Sequence, residues 1–257
     1  MAGSLPAANV GKLNPTIPID QSIYEQSTTK KAVLGTKLEV GERTFRYAKA
    51  GDTGLGISAG RVACSVIDVS LHGGTYCSFA VATTGATSLS ATATGTFAAN
   101  VFNDGYVVFG GGTRAGEVYK IKSHGTGVAA VAFTLYDPIV GTVTATSLGA
   151  IIPSRYICEI STASQGAVGV SMIDVTAGNY FWLQTKGPAG VIAAATPAAH
   201  SPLVVGTTGA VITTVTIATC NSTSLAYAAT DGSYFIGYNG DAAGVAAKAT
   251  PIVLMLE

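Results

Sequence analysis

From Val33 onwards, glycine and turn-forming residues interrupt this chain about every ten residues, and the stretches between them are rich in valine, threonine and isoleucine. Lys49-Ala50-Gly51-Asp52, Asn103-Asp104-Gly105, Gly110-Gly111-Gly112 and Asn239-Gly240-Asp241 are the clearest breaks. β-Branched side chains suit a pleated surface. Short strands punctuated at this interval make a sandwich or a barrel. The expected fold class is all-β and sandwich- or barrel-like.

The expected strands are 44–48, 62–69, 76–81, 106–109, 118–121 and 132–136, then 156–160, 168–175, 180–185, 191–194, 202–205, 210–219, 234–238 and 252–256. The low-complexity stretches 83–100 and 219–230, built from Ser, Thr, Ala and Gly, read as small-residue strands or loops before helices. Two hairpins stand out. In the first, Asp104–Phe109 and Glu117–Ile121 flank a glycine-rich tip. In the second, Tyr180–Thr185 runs into Lys186-Gly187-Pro188-Ala189-Gly190, whose residue types are those of a turn, and Val191–Ala193 returns.

Internal echoes suggest two related β-domains. Gly60–Ser70 resembles Gly166–Thr176, and the two hairpins share a plan, although the offsets differ. The expected division is an extended N-terminal arm over 1–32, a first β-domain over 33–148 and a second over 149–257, with the boundary near Ser147–Pro153. The arm carries Pro6, Pro15 and Pro18 with no periodicity. It reads either as a strap that orders on a neighbouring subunit or as a plain tail.

Charge constrains the partners. Charged residues are only 11% of the chain, against the usual ~25%, and 14 basic residues balance 14 acidic ones. A surface so poor in charge favours association, so burial against other subunits is the first physical inference. Neutrality argues against nucleic acid, which needs clustered cations. Lys30-Lys31 and Lys120/Lys122 read as solvated pairs. No uninterrupted apolar run is long enough for a transmembrane helix. The first residues lack the basic-then-apolar pattern of a secretory signal. Cys64, Cys77, Cys158 and Cys220 have no metal-finger spacing and read as buried thiols rather than two disulfides.

No catalytic constellation emerges, and the expectation is a non-enzyme with no cofactor and no metal. Gly54-Leu55-Gly56 leads into a strand, whereas a dinucleotide loop opens a helix. Gly110-Gly111-Gly112 lacks the lysine of a phosphate loop. His72, His124 and His200 stand alone and read as structural. Asp68 and Asp174 lie in apolar strands, and Asp137-Pro138 reads as turn initiation. Asn221-Ser222-Thr223 matches a glycosylation sequon by coincidence. Tyr180 and Trp182, two apart on one strand, fit either a ligand platform or, more simply, a core or interface cluster.

Two stretches resemble known virion proteins. YFWLQTKGPAGVIAAATPAAHSPLVVGTTGAV from Tyr180, with the terminal TPIVLMLE, is similar to a segment of virion proteins from DNA-packaging tailed phages. LGTKLEVGERTFRYAKAGDTGLGISAGRV from Leu34 resembles the start of small β-domains in capsid auxiliary proteins. The likeness covers roughly 34–62 and 165–257. It implies a capsid decoration (cement) protein, a β-rich and commonly trimeric subunit bound outside an icosahedral head. The major capsid protein and further copies of itself would be its partners, and the virion surface its location. That family works through surfaces, so no functional residue transfers. On this view Tyr180, Trp182, Lys186 and Pro188, with Pro15 and Pro18 of the arm, are the expected contact residues. A tail or head fibre component, a carbohydrate-binding adhesin and a β-helical lyase rank below it.

Overall fold

The computed structural model describes residues 20–51, 56–65, 77–160, 166–194, 202–205, 211–213, 235–239 and 249–256. All regular structure among them is β. The chain opens with β1 (Lys37–Val40), β2 (Arg43–Ala50) and β3 (Val62–Ser65). Next come β4 (Cys77–Phe79), β5 (Ser88–Phe97), β6 (Tyr106–Gly111), β7 (Val118–His124), β8 (Gly127–Leu135) and β9 (Leu148–Ile152). The last group is β10 (Ile157–Ile160), β11 (Ala167–Ser171), β12 (Tyr180–Ile192), β13 (Pro202–Val205), β14 (Val211–Thr213), β15 (Phe235–Asn239) and β16 (Ala249–Met255).

Two units result, but they are nested rather than in tandem. One comprises Met1–Val66 with Tyr156–Glu257, and the other Ile67–Arg155. The expected division into 33–148 and 149–257 therefore gives way to an insertion. The physical reason is strand pairing: β3 and β10 are antiparallel neighbours, Ser65 opposite Cys158, so the whole of the second unit lies in the connection between two adjacent strands. The expected boundary at Ser147–Pro153 is itself a strand. β9 pairs with β4 and with β6 and closes the inserted unit. Gly149 makes this fit possible, because a Cβ there would collide with the Val108 carbonyl oxygen and lie 2.8 Å from the Phe79 ring.

The inserted unit is a closed barrel in the order β4-β5-β8-β7-β6-β9. Phe79, Phe102, Phe109 and Phe133 fill it with Leu89, Ile121 and Leu135. Phe79 and Phe109 meet at 4.7 Å between ring centroids. Burying each such side chain contributes about 1.5–3 kcal/mol. The hairpin expected around the glycine-rich tip is present as β6–β7, with Val108 opposite Val118. The low-complexity stretch 83–100 contains β5, which pairs with β8 from Ser88–Thr134 to Phe97–Gly127.

In the larger unit, β2, β10, β3, β11 and β12 pair in succession, and β12 returns to β2, so these five strands close a ring. Only β2–β10 is parallel among them. Alternate residues of β12 pack into two different clusters, as a strand's pleat requires. Phe181 and Leu183 join Ala48, Ala50, Ala63, Cys158 and Val168. Trp182 joins Phe45, Tyr47, Ile23 and Leu34. Alanine and cysteine in the first cluster suit five strands, whereas the six-stranded barrel has room for phenylalanines.

Two expectations change here. The second hairpin is absent: 180–192 is one strand that changes partner midway. Its pairing with β2 ends at Lys186–Thr44, and from Lys186–Met255 to Ile192–Ala249 it pairs with β16. The residues that read as a turn instead continue the strand in unbroken register with β16, and the register shift against β2 falls just before them, between Gln184 and Lys186. Gly187 takes φ +87°, and a Cβ there would sit 2.6 Å from the Glu42 carbonyl oxygen. Pro188 lies past the end of the β2 register, where a missing N–H is tolerated. The second change concerns the arm. Residues 20–32 pack on their own unit, with Ile23 fully buried. Ser27 and Tyr180 exchange backbone hydrogen bonds of 2.9 and 2.8 Å. Pro15 and Pro18 lie outside the described residues, as do His72, His200, Asp68, Cys220 and Asn221.

Candidate contact surfaces

His124 is buried at the end of β7, where it accepts from the Phe102 N–H at 3.0 Å. Its Nδ1 meets the Gly125 carbonyl at 2.7 Å. Asp104 accepts from the Tyr136 hydroxyl at 2.8 Å, and burial followed by this bond pushes the phenol's pKa upward. Glu117 accepts from Tyr119 at 2.7 Å and pairs with Arg114. The tyrosine bond first, and the guanidinium after it, hold its carboxyl below the usual range. The Tyr119 hydroxyl in turn accepts from the Val140 N–H at 3.1 Å, tying the β6–β7 tip to the 137–141 loop. Asp174 accepts from the Ala59 N–H at 2.9 Å. Cys64, Cys77 and Cys158 are buried, and burial pushes the Cys77 thiol up to about 11. No group of three metal-ligating side chains occurs among the described residues.

Of the expected contact residues, the structure separates one pair and joins another. Trp182 is fully buried and donates its indole N–H to the Gln21 carbonyl at 3.1 Å. It is therefore core, and neither a ligand platform nor a subunit contact. Its burial follows from the segment 20–34, which covers the outer face of the strand. Tyr180 is half-buried and stacks on Tyr47 at 6.0 Å with the rings 8° from parallel. Lys186 and Pro188 are exposed. They stand beside Met255 and Val253 on β16, which are 54% and 47% exposed. Two apolar side chains thus join a lysine and a proline on one outward sheet face. Val253 and Met255 escape a reading of the sequence because Ile252-Val253-Leu254-Met255 is apolar throughout, which hides the alternation of Ile252 and Leu254 inward with their neighbours outward.

A second apolar surface covers one side of the barrel. On β6, Val107 and Phe109 point inward and Tyr106 and Val108 outward. The registers set Tyr106 between Lys120 and Ile152, and Val108 between Val118 and Ala150. Leu148 follows on β9 opposite Gly111. Val118 is 53% exposed, Leu148 43%, and Tyr106 and Ile152 40% each. Isolated apolar residues on a surface are ordinary, but contiguous cross-strand rows mark contact sites. Lys120 borders these rows with its ammonium 5.4 Å from the Tyr106 ring centroid. The other side of the barrel differs: Ser78, Ser90 and Thr92 lie outward on β4 and β5, with Ala130 and Ala132 on β8. One side of the barrel is apolar and the other is hydroxyl-bearing or small.

Comparison with protein-family models, with curated proteins and with solved structures finds no match to this chain.

Proposed function

We propose that this protein is a virion structural subunit, a decoration or cement protein. It would bind the outside of an icosahedral phage head and stabilise it by bridging neighbouring capsomers. The observation that carries this reading is the apolar surface formed by Tyr106, Val108, Val118, Leu148, Ala150 and Ile152 on strands that are already fully paired. With charged residues at only 11% of the chain, such a surface is better suited to a protein partner than to water. The resemblance of 34–62 and 165–257 to auxiliary head proteins supplies the kind of partner, a capsid shell. The smaller surface at Lys186, Pro188, Val253 and Met255 is a second contact of the same kind. A shell under internal DNA pressure gains from any partner that must be lost before it opens, and closed symmetry, most simply a trimer, suits capsomer junctions. The adhesin reading loses its main support, because Trp182 is not accessible to a sugar.

The test is co-sedimentation with purified phage shells, comparing the native protein with a Val118→Lys/Ile152→Lys double variant. The native protein should pellet with shells. The variant should stay in the supernatant while keeping its circular dichroism and its melting midpoint. Equal binding by both proteins would remove the barrel surface from the account, and no pelleting of the native protein would remove the capsid.

A further inference from the structure

We propose that His124 is a pH-sensitive pin for residues 98–105, holding that segment in the end of the barrel at neutral pH and releasing it when the imidazole is protonated. The segment joins β5 to β6 and carries Phe102, which is fully buried in the barrel core beside Val107, Ile121 and Phe133. Its backbone is held in an uncommon form. Asn100 and Asp104 have φ of +64° and +61°, and these are the two described non-glycine residues in the left-handed region. Such conformations persist where surrounding contacts over-determine them.

Many of those contacts run through β7 and its final residue. The His124 N–H donates to Asn100 Oδ1 and the Asn100 N–H donates to the His124 carbonyl, both at 3.2 Å. The Phe102 N–H donates to His124 Nε2 at 3.0 Å. That bond settles the tautomer: Nε2 is the acceptor, so Nδ1 bears the proton and donates to the Gly125 carbonyl at 2.7 Å. The imidazole is flanked by Phe102 and Phe133, at 5.4 and 5.1 Å between ring centroids.

Protonation inverts this arrangement. A proton on Nε2 faces the Phe102 N–H, so donor meets donor: the buried amide loses its acceptor and a charge is placed in the barrel end, while Nδ1 keeps its bond to the Gly125 carbonyl. Among the described residues, Asp104, Lys120 and Lys122 are the charged groups of the segment and strands packed around it. Asp104, the acid in the 98–105 segment, lies opposite Ile121, where its N–H donates to the Ile121 carbonyl, and its carboxylate accepts from Tyr136. β5 and β8 carry no titratable side chain. On β7, Lys122 is exposed and Lys120 lies over Tyr106. Burial accordingly depresses the basicity of His124. With its folded value below the unfolded one, the contribution of His124 to stability is complete above about pH 6.5. It is lost as pH falls through that value and then through the lower folded value.

Amide hydrogen exchange on the full chain at pH 7.5 and pH 5.0, corrected for intrinsic rates, tests this. Protection of the 98–105 amides, Phe102 above all, should fall about tenfold or more at the lower pH. A His124→Gln variant, whose amide can accept from Phe102 and donate to Gly125 without titrating, should show no such fall. Unchanged protection in the native protein, or the same loss in the variant, would overturn the proposal. If the variant does not fold, the His124 ring resonances of the native protein decide. A titration below the ordinary histidine range, coincident with loss of Phe102 protection, supports the pin, and titration in the ordinary range with Phe102 still protected refutes it.

Discussion

Trp182 is the largest side chain that the bigger unit buries completely, and its environment can be probed residue by residue. Its ring meets Tyr47 edge-on at 5.1 Å, and the Tyr47 hydroxyl donates to Gln21 Oε1 at 2.8 Å. Trp182→Phe keeps an aromatic ring but leaves the Gln21 carbonyl without its donor. Urea denaturation followed by circular dichroism should show a loss of about 2–4 kcal/mol, from the unmade bond together with the reduced volume. Gly187→Ala should cost about 1–3 kcal/mol in the same assay, because φ of +87° and the Glu42 carbonyl both oppose a Cβ. Cys77 offers a third probe. With its thiol raised to about 11 and its Sγ 3.2 Å from the Gly149 carbonyl, it should react with a thiol reagent at pH 8 only as fast as the barrel opens. A rate typical of a free thiol would contradict that burial.

Among the elements, β12 shows both what a sequence can disclose and where it stops. The alternation from Tyr180 to Thr185 marks a strand, and a strand is there. Lys186-Gly187-Pro188-Ala189-Gly190 has the local chemistry of a turn, yet it runs on as strand because β16, some sixty residues later in the chain, supplies a partner for every residue from Lys186 to Ile192. Nonlocal pairing of this kind leaves no mark on the local pattern. The Gln184 amide stabilises the change of partner, donating to the Lys186 carbonyl at 3.1 Å and to the Pro188 carbonyl at 2.7 Å. Gln184→Met, similar in size but without donors, should lower the melting midpoint by an amount equivalent to about 1–3 kcal/mol. An unchanged midpoint would show that the change of partner holds without it. β9 was hidden for a different reason: Leu148–Ile152 is short, contains Gly149 and is followed by Pro153, all features of a boundary. Of the contact surfaces, only Lys186 and Pro188 were legible beforehand. Tyr106, Val118 and Ile152 become a surface only once the register brings three strands side by side.

At the scale of the whole molecule, the nested arrangement makes its own prediction. Because β3 and β10 are antiparallel neighbours, the two ends of the inserted unit leave the larger one close together, the geometry in which insertions are tolerated. A barrel fragment spanning residues 67–155 should fold alone and unfold cooperatively. The host should fold with that stretch replaced by a short glycine-asparagine turn, keeping the blue-shifted emission of its buried Trp182, the single tryptophan of the chain. Emission at the wavelength of exposed indole would show that the host depends on its insert. Both units would then serve the role proposed above, each presenting an apolar face on a rigid β framework. Light scattering on the purified native protein, coupled to size-exclusion chromatography, tests that role most directly. The account predicts a stable assembly whose mass is a multiple of the 25.8 kDa chain, three-fold for a trimer, reduced when Val118 and Ile152 are both replaced by lysine. A native protein that elutes as a 25.8 kDa monomer at every concentration, and remains so in the presence of phage shells, would contradict it.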